Sequence, residues 1–145
     1  MNFLLDTNVL SETRKPAATA RTRARIDPRV AQWLLSVPAS ALHLSVISIL
    51  EIEIGILLIE RRDAGQAQVL RTWLENRVLP TFRGRIHEID LAVVRRAAPL
   101  HVPNPSEDRD ALIAATAAVH KMTVVTRNVG HFEPLGVRAL NPWES

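Results

Sequence analysis

The order of segments predicts an α/β fold with a mostly parallel sheet covered by helices on both faces. Two observations carry this. Short strand-like runs in NFLLD, ALHLSV, RIHEID and TVVT alternate with longer stretches of helical spacing. The strand cores are continuously apolar rather than alternating, as in strands buried on both sides. At 145 residues the chain can bury a substantial core, and a single domain over 1–145 is expected.

In order, NFLLD reads as the first buried strand and TNVLSETR as a short helix. KPAATARTRARIDPR is small, basic and bounded by prolines, and reads as a loop or mobile arm. PRVAQWLLSV regains helical spacing, with Val30, Trp33, Leu34 and Val37 on one side and Pro38 ending it. ALHLSV is the second strand, and a helix runs from near Ser48 into the early sixties. AGQAQVLRTWLENRVL follows as a helix with Val69, Leu70, Trp73, Leu74 and Leu79 in its apolar stripe. RIHEID gives a third strand and LAVVRRAAPLH a helix closing near Pro103. PNPSEDRD is a loop and helix cap, DALIAATAAVHKM an Ala-rich helix that packs closely, TVVT a fourth strand, and VRALNPW a short edge strand.

Composition excludes several classes of function. There is no cysteine, so disulfides and thiolate metal sites are absent. No basic segment leads into a long apolar one at the start, and the longest apolar run is broken by Glu51 and Glu53, so neither a signal peptide nor a membrane span is expected. A cytoplasmic protein is the expectation. Of the eighteen basic residues only Lys15 and Lys121 are lysines. Guanidinium groups suit bidentate phosphate contacts and point to a polyanionic partner, although a GC-rich genome produces the same bias.

In parallel sheets ligands bind beyond the carboxyl ends of the strands, where the strand order switches. Asp6 ends the first strand in that place. A buried charge is costly unless paired or bound to metal. Asp6 could instead be a helix cap, though Thr7 is able to fill that role. Glu51 stands three residues after Ser48, the spacing of a capping box, and spacing does not separate a capping Glu from a metal ligand. Asp110 opens DALIAATAA; acids there often serve only the helix dipole, but the AAxAA run lets this helix lie tight against the sheet and aim its first turn. Thr126, Arg127 and Asn128 leave the fourth strand at the same edge, and Asn128 is either a turn residue or a donor to a metal-bound water or phosphate oxygen. The histidines, His131 included, show no paired metal-ligand spacing and read as ordinary surface or half-buried residues. Oxygen-only donors suit magnesium or manganese rather than zinc. Clustered carboxylates repel one another until a cation neutralises them, and a cation held so can activate water against a phosphodiester.

FLLDTNVLSE, the EIEIG stretch from Glu51 to Gly55, DALIAATA, VTRN and the closing LNPW, in that order along the whole chain, resemble PIN-domain proteins. The likeness is greatest to the VapC toxins of bacterial toxin–antitoxin pairs, in the FitB-like branch. The resemblance implies a Rossmann-like α/β/α sandwich and an Mg2+- or Mn2+-dependent endoribonuclease. It implies a metal site on Asp6, Glu51 and Asp110, with Asn128, alone or with Thr126, completing the shell or holding the scissile phosphate. It also implies an RNA substrate, a homodimer and a small antitoxin that blocks the site. Two positions depart from the family pattern: Asn128 stands where a fourth acid is common, and His131 where an Asp commonly precedes the Phe. A neutral Asn128 would weaken or remove a second metal. The segment after the first helix is long, and Arg14, Lys15, Arg21, Arg23, Arg25 and Arg29 near the Asp6 end are either RNA-phosphate contacts or a solvated loop. An RNA-binding module of the same fold with weak or absent nuclease activity is the alternative. A receiver-type signalling domain needs a Lys at a strand end, and neither lysine stands at one.

Overall fold

Along the first strand Phe3 and Leu5 turn to one side of the sheet and Leu4 to the other, and all three are buried because helices cover both sides. The computed structural model describes residues 1–15 and 25–144. Among these, β1 (Phe3–Leu5), β2 (Leu42–Ser45), β3 (Ile86–His87), β4 (Thr123–Val125) and β5 (Ala139–Leu140) form one sheet in the order β3-β2-β1-β4-β5. Every neighbouring pair is parallel, the closing edge strand included. The chain winds outward from β1 to β3, then crosses to the far side of β1 to lay down β4 and β5. The switch point therefore lies between β1 and β4, which pair Leu5 with Val125.

One layer holds α1 (Thr7–Glu12), α2 (Pro28–Leu35), α3 (Val46–Glu60) and α4 (Ala64–Trp73), whose Val9, Leu10, Val30, Trp33, Ile52, Ile56 and Leu70 pack on Phe3, Leu5, Leu44 and Val125. Trp33 meets Phe3 edge to face, with centroids 5.1 Å apart. A wide turn over Leu74–Val78 continues α4 into the short α5 (Leu79–Thr81). The opposite layer holds α6 (Leu91–Ala97), α7 (Asp108–Val119) and α8 (Val129–Phe132). Ile113, Ala114 and Ala117 of α7 pack with Leu4 and Val124, while Ala115 packs with Val93 and Ala97 of α6. Small residues on both sides of α7 let it lie close to sheet and helix alike. The expected α/β/α sandwich is the observed one. No helix among the described residues is long and apolar enough to cross a membrane.

Several elements differ from the sequence expectation. Helix α3 begins at Val46, because β2 runs straight into it and the last extended residue, Ser45, is the cap: its Oγ accepts from the Ile47 amide at 3.0 Å. Ser48 is therefore a buried interior residue, and the Ser48–Glu51 capping box does not form. In α4 the buried stripe is Ala67, Leu70, Leu74 and Val78, while Val69, about 100° round the helix from Leu70, is exposed. Helix α8, a single turn that drives Phe132 into the core, is an addition. The segment 16–24, with Arg21 and Arg23, lies outside the described residues.

The end of α7 is closed by two hydrogen bonds, from the Met122 amide to the Ala117 carbonyl at 2.8 Å and from the Lys121 amide to the Ala118 carbonyl at 3.4 Å. This closure places Lys121 in the left-handed region (φ 56°), a position usually given to Gly. A side chain there costs about 1–2 kcal/mol, of which a positive charge at a helix C-terminus returns about 0.3–1 kcal/mol.

The histidines are not all isolated. His43 Nδ1 lies 2.9 Å from His87 Nε2, and the His87 ring stands 4.3 Å from that of His120. Burial first, then Arg85 and His120, holds His43 below the ordinary imidazole value of 6.5. Burial, His120 and His43 do the same to His87. A lowered folded-state pKa means that the neutral pair's stability is fully present above the unfolded value and is lost as pH falls through the lowered ones. Thermal unfolding is expected to show a midpoint that drops between pH 7 and pH 5, about the imidazole range, and His87→Phe should flatten that slope.

Candidate active site

At the carboxyl end of β1 the backbone of Asp6 stays extended, and its Oδ1 accepts from the Thr7 amide at 2.9 Å. Asp6 is thus itself the cap of α1, a role expected of Thr7. Thr7 is released for another contact: its hydroxyl donates to Glu51 Oε1 of α3 at 2.7 Å. Asp6 Oδ2 accepts from the Thr126 hydroxyl, at the end of β4, at 2.8 Å and from Asn8 Nδ2 at 3.4 Å. Thr126 Oγ1 in turn accepts from the Asn128 amide at 2.9 Å, and Asn8 Oδ1 accepts from the Arg127 amide at 3.2 Å. The switch point is therefore laced shut by polar side chains on both sides of the β1–β4 seam.

The other two acids come from helices in opposite layers. Glu51 lies in the second turn of α3, with Arg109 Nη1 3.7 Å from its Oε2. Asp110 lies in the first turn of α7, with His131 Nδ1 of α8 3.5 Å from its Oδ2. His131 is the surface residue that spacing suggested, 63% exposed at its side chain, and it also faces a candidate ligand. The one-turn helix that brings it there leaves no periodic signal to read. Thr7, Asn8 and Arg109 likewise carry no site signal of their own in the sequence, although the first two immediately follow Asp6.

Burial raises the Asp6 carboxyl above its ordinary value of 3.8, against the lowering hydrogen bonds from Thr126 and Thr7, and the charges of Glu51 and Asp110 raise it further. Burial likewise raises Asp110, with His131 opposing and Glu51 and Glu107 adding. The three acids are thus electrostatically coupled across one edge. They do not converge on a common point: among the described residues no three His, Asp or Glu side chains stand close enough together to hold one ion. Each is held by its own partner: Asp6 by Thr126, Glu51 by Thr7 and Asp110 by His131.

Asn128 reaches the edge, and its exposed side-chain amide makes no hydrogen bond among the described residues. The Thr126 hydroxyl gives its proton to Asp6 and accepts from the Asn128 amide, so it positions that acid. Two cavities flank the edge. One, of about 210 Å3, is walled by Thr7, Arg14, Glu51 and Trp73. A side chain at Gly55, one turn beyond Glu51, would intrude on that space. The other, of about 300 Å3, is walled by Lys15, Arg25, Arg127 and Trp143, where the Arg127 guanidinium lies 4.9 Å over the Trp143 ring. Basic groups therefore do border the acids. Arg29 is instead paired with Asp27, and Lys15 with Glu12 at 2.7 Å.

This arrangement matches a known family: the PIN domain model aligns with residues 3–133. The chain belongs to the PIN-domain family. It is 36% identical over 147 residues to Toxin FitB of Neisseria gonorrhoeae, covering 97% of this chain and 98% of that one. It is 33% identical over 148 residues to VapC ribonuclease Y4jK of Sinorhizobium fredii, covering 98% of each. The crystal structure of FitAcB from Neisseria gonorrhoeae superposes with a TM-score of 0.84 at 34% identity, covering 99% of each chain.

In this PIN domain the Thr126 hydroxyl is the strongest brace on Asp6. Thr126→Val keeps the shape and removes the donor, leaving a buried carboxylate short of one bond. Urea unfolding at pH 7 is expected to show a loss of about 1–3 kcal/mol. The loss should shrink at pH 4, near the ordinary carboxyl range, where Asp6 takes up a proton.

Proposed function

We propose that this PIN domain is the toxin of a toxin–antitoxin pair and an endoribonuclease dependent on Mg2+ or Mn2+, acting in the cytoplasm with residues 1–145 as one domain. The observation that carries the reading is the placement of Asp6, Glu51 and Asp110 at one carboxyl edge of the sheet, with Asp6 and Glu51 each hydrogen-bonded by a threonine hydroxyl. The donor chemistry suits a hard divalent cation, since it is all oxygen and two members are oriented by hydroxyl groups, and binding one would draw the three side chains in from the spread positions described above. A divalent ion held there would supply Lewis-acid activation of water and neutralise charge on a phosphoryl oxygen.

The chain's own residues divide the remaining work. Asp6, Glu51 and Asp110 are the ligands, Thr126 and Asn8 fix Asp6, and Thr7 fixes Glu51. Arg109 and His131 offset the acids' repulsion from outside. The uncommitted amide of Asn128 donates to the scissile phosphate, in keeping with its place beside Thr126. Arg14, Arg25 and Arg127 along the flanking cavities hold neighbouring phosphates of the RNA strand. The name of the Neisseria relative, a toxin, supports a neutralising antitoxin partner. The exposed Leu50, Leu57 and Leu58 on α3 support apolar association, as a homodimer or with that antitoxin.

The test is cleavage of structured RNA by antitoxin-free protein with Mg2+ or Mn2+, beside an EDTA control. Asp6→Asn and Asp110→Asn are each expected to lose at least about 100-fold in rate, the upper end of what outer-shell partners cost. The Asp110 carboxyl, raised in the fold, contributes stability below its unfolded pKa that is lost as pH rises through the folded one. Asp110→Asn cannot ionise, so it should unfold at a higher temperature than the parent at neutral pH, which separates lost chemistry from lost folding. Metal and RNA binding by the parent without any cleavage would replace this reading with the RNA-binding module.

A further inference from the structure

A cavity of about 400 Å3 lies not at the acids but at the opposite, amino-terminal edge of the sheet. Its apolar lining is Met1, Met122 and Val137, with Ala117 of α7 fully buried beneath them, and Lys121 and Arg138 border it. Among the described residues no carboxylate lines it. Neither Lys121 nor Arg138 forms an ion pair among the described residues, so two positive charges border one concavity without a counter-charge. The backbone adds a second, independent observation. Lys121 occupies the left-handed position that closes α7, where glycine would be better tolerated and where the helix dipole repays only part of the strain. The fold keeps a long cationic side chain at the rim of this cavity at a net cost to its own stability.

We propose that this cavity binds a nucleoside phosphate, with the phosphate at Lys121 and Arg138 and the base against Met1, Met122 and Val137. The volume lies in the range of small-ligand sites. A planar base suits a lining of apolar and thioether side chains, since methionine sulfur packs favourably against aromatic rings. A phosphate suits an ammonium and a guanidinium bordering one cavity. Inorganic phosphate would leave the apolar lining uncovered, and an uncharged nucleoside would leave the two cations unpaired. The shared chemistry has two sources, a free mononucleotide or one nucleotide unit of an RNA strand. The second source rests on the proposed ribonuclease function, because along α7, at a rise of about 1.5 Å per residue, roughly 17 Å separates Lys121 from Asp110.

The chain has two methionines, and both line this cavity. Methyl-13C labelling of methionine therefore gives an NMR readout confined to it, read in EDTA so that no cleavage occurs and the outcome is independent of nuclease activity. Adenosine monophosphate is expected to shift the Met122 methyl saturably, with adenosine and inorganic phosphate each binding at least about tenfold more weakly. Lys121→Gly relaxes the backbone, so it will fold, and it should weaken binding about tenfold or more, as should Arg138→Gln. A short single-stranded RNA that shifts the same methyl and is displaced by the mononucleotide assigns the site to a strand unit. Displacement failing while the mononucleotide still binds assigns it to the free nucleotide. Methyl signals unmoved by the mononucleotide at millimolar concentration, or binding unchanged in Lys121→Gly, would overturn the proposal.

Discussion

The hydrogen bond from the Thr126 hydroxyl to Asp6 Oδ2, 2.8 Å long, joins the ends of the two central strands where the winding of the sheet reverses. It can form only if β1 and β4 are in register, which they are from Phe3–Thr123 to Leu5–Val125. The Asp6 amide extends the same ladder by one rung, donating to the Val125 carbonyl at 2.9 Å. A carboxyl buried at that seam without a donor would be costly, so Thr126 makes it tolerable to end a core strand on an acid. The donor also accepts from the Asn128 amide, and that bond sets the direction in which the chain leaves β4 toward α8 and His131. Strand pairing, acid orientation and the path of the next segment are in this way consequences of one contact.

From this fixed point the other two acids are placed by packing. Helix α3 starts directly on the last residue of β2, so Glu51 projects from a helix anchored on the sheet by Ile47, Ile52 and Ile56. Helix α7 is held by alanines on two faces, which leaves little freedom in where Asp110 points. Each acid is carried in on a rigid element whose packing sets its place. That is the condition in which a site stores unfavourable free energy, since burial raises both Asp6 and Asp110. The remainder of the core must supply the stability that this edge gives up.

Much of the fold is legible in the sequence because the signal is redundant. FLL, HLS and TVV are short apolar runs flanked by clear helical segments, so strand identity and parallel winding follow from pattern. The places of Asp6, Glu51 and Asp110 follow from the rule that such sheets work at their carboxyl edge. Structure and expectation part where one or two residues decide an outcome. Asp6 against Thr7, and Ser45 against Ser48, are choices of cap that depend on where the strand stops, and propensity does not resolve that. His131 and the His43–His87–His120 cluster depend on contacts between residues far apart in the chain, to which spacing is blind. Val69 stands in a run of apolar residues that hides which of them lies on the buried line.

Helix α7 also orders charge across the molecule. It runs antiparallel to the strands, so its first turn lies at the carboxyl edge with Asp108 and Asp110, and its end lies at the amino edge beside Lys121. A polyanion approaching the acid edge meets negative charge flanked by Arg14 and Arg127, whereas at the amino edge it meets Lys121 and Arg138 with no acid among the described residues lining their cavity. Encounter and chemistry therefore make opposite electrostatic demands on the two edges. The amino edge attracts phosphate unaided, while the acid edge repels it until its carboxylates are neutralised. Strand pairing at the β1–β4 seam fixes one edge and the closure of α7 fixes the other, so the separation of the two fields is a property of the fold and not of side-chain rotamers.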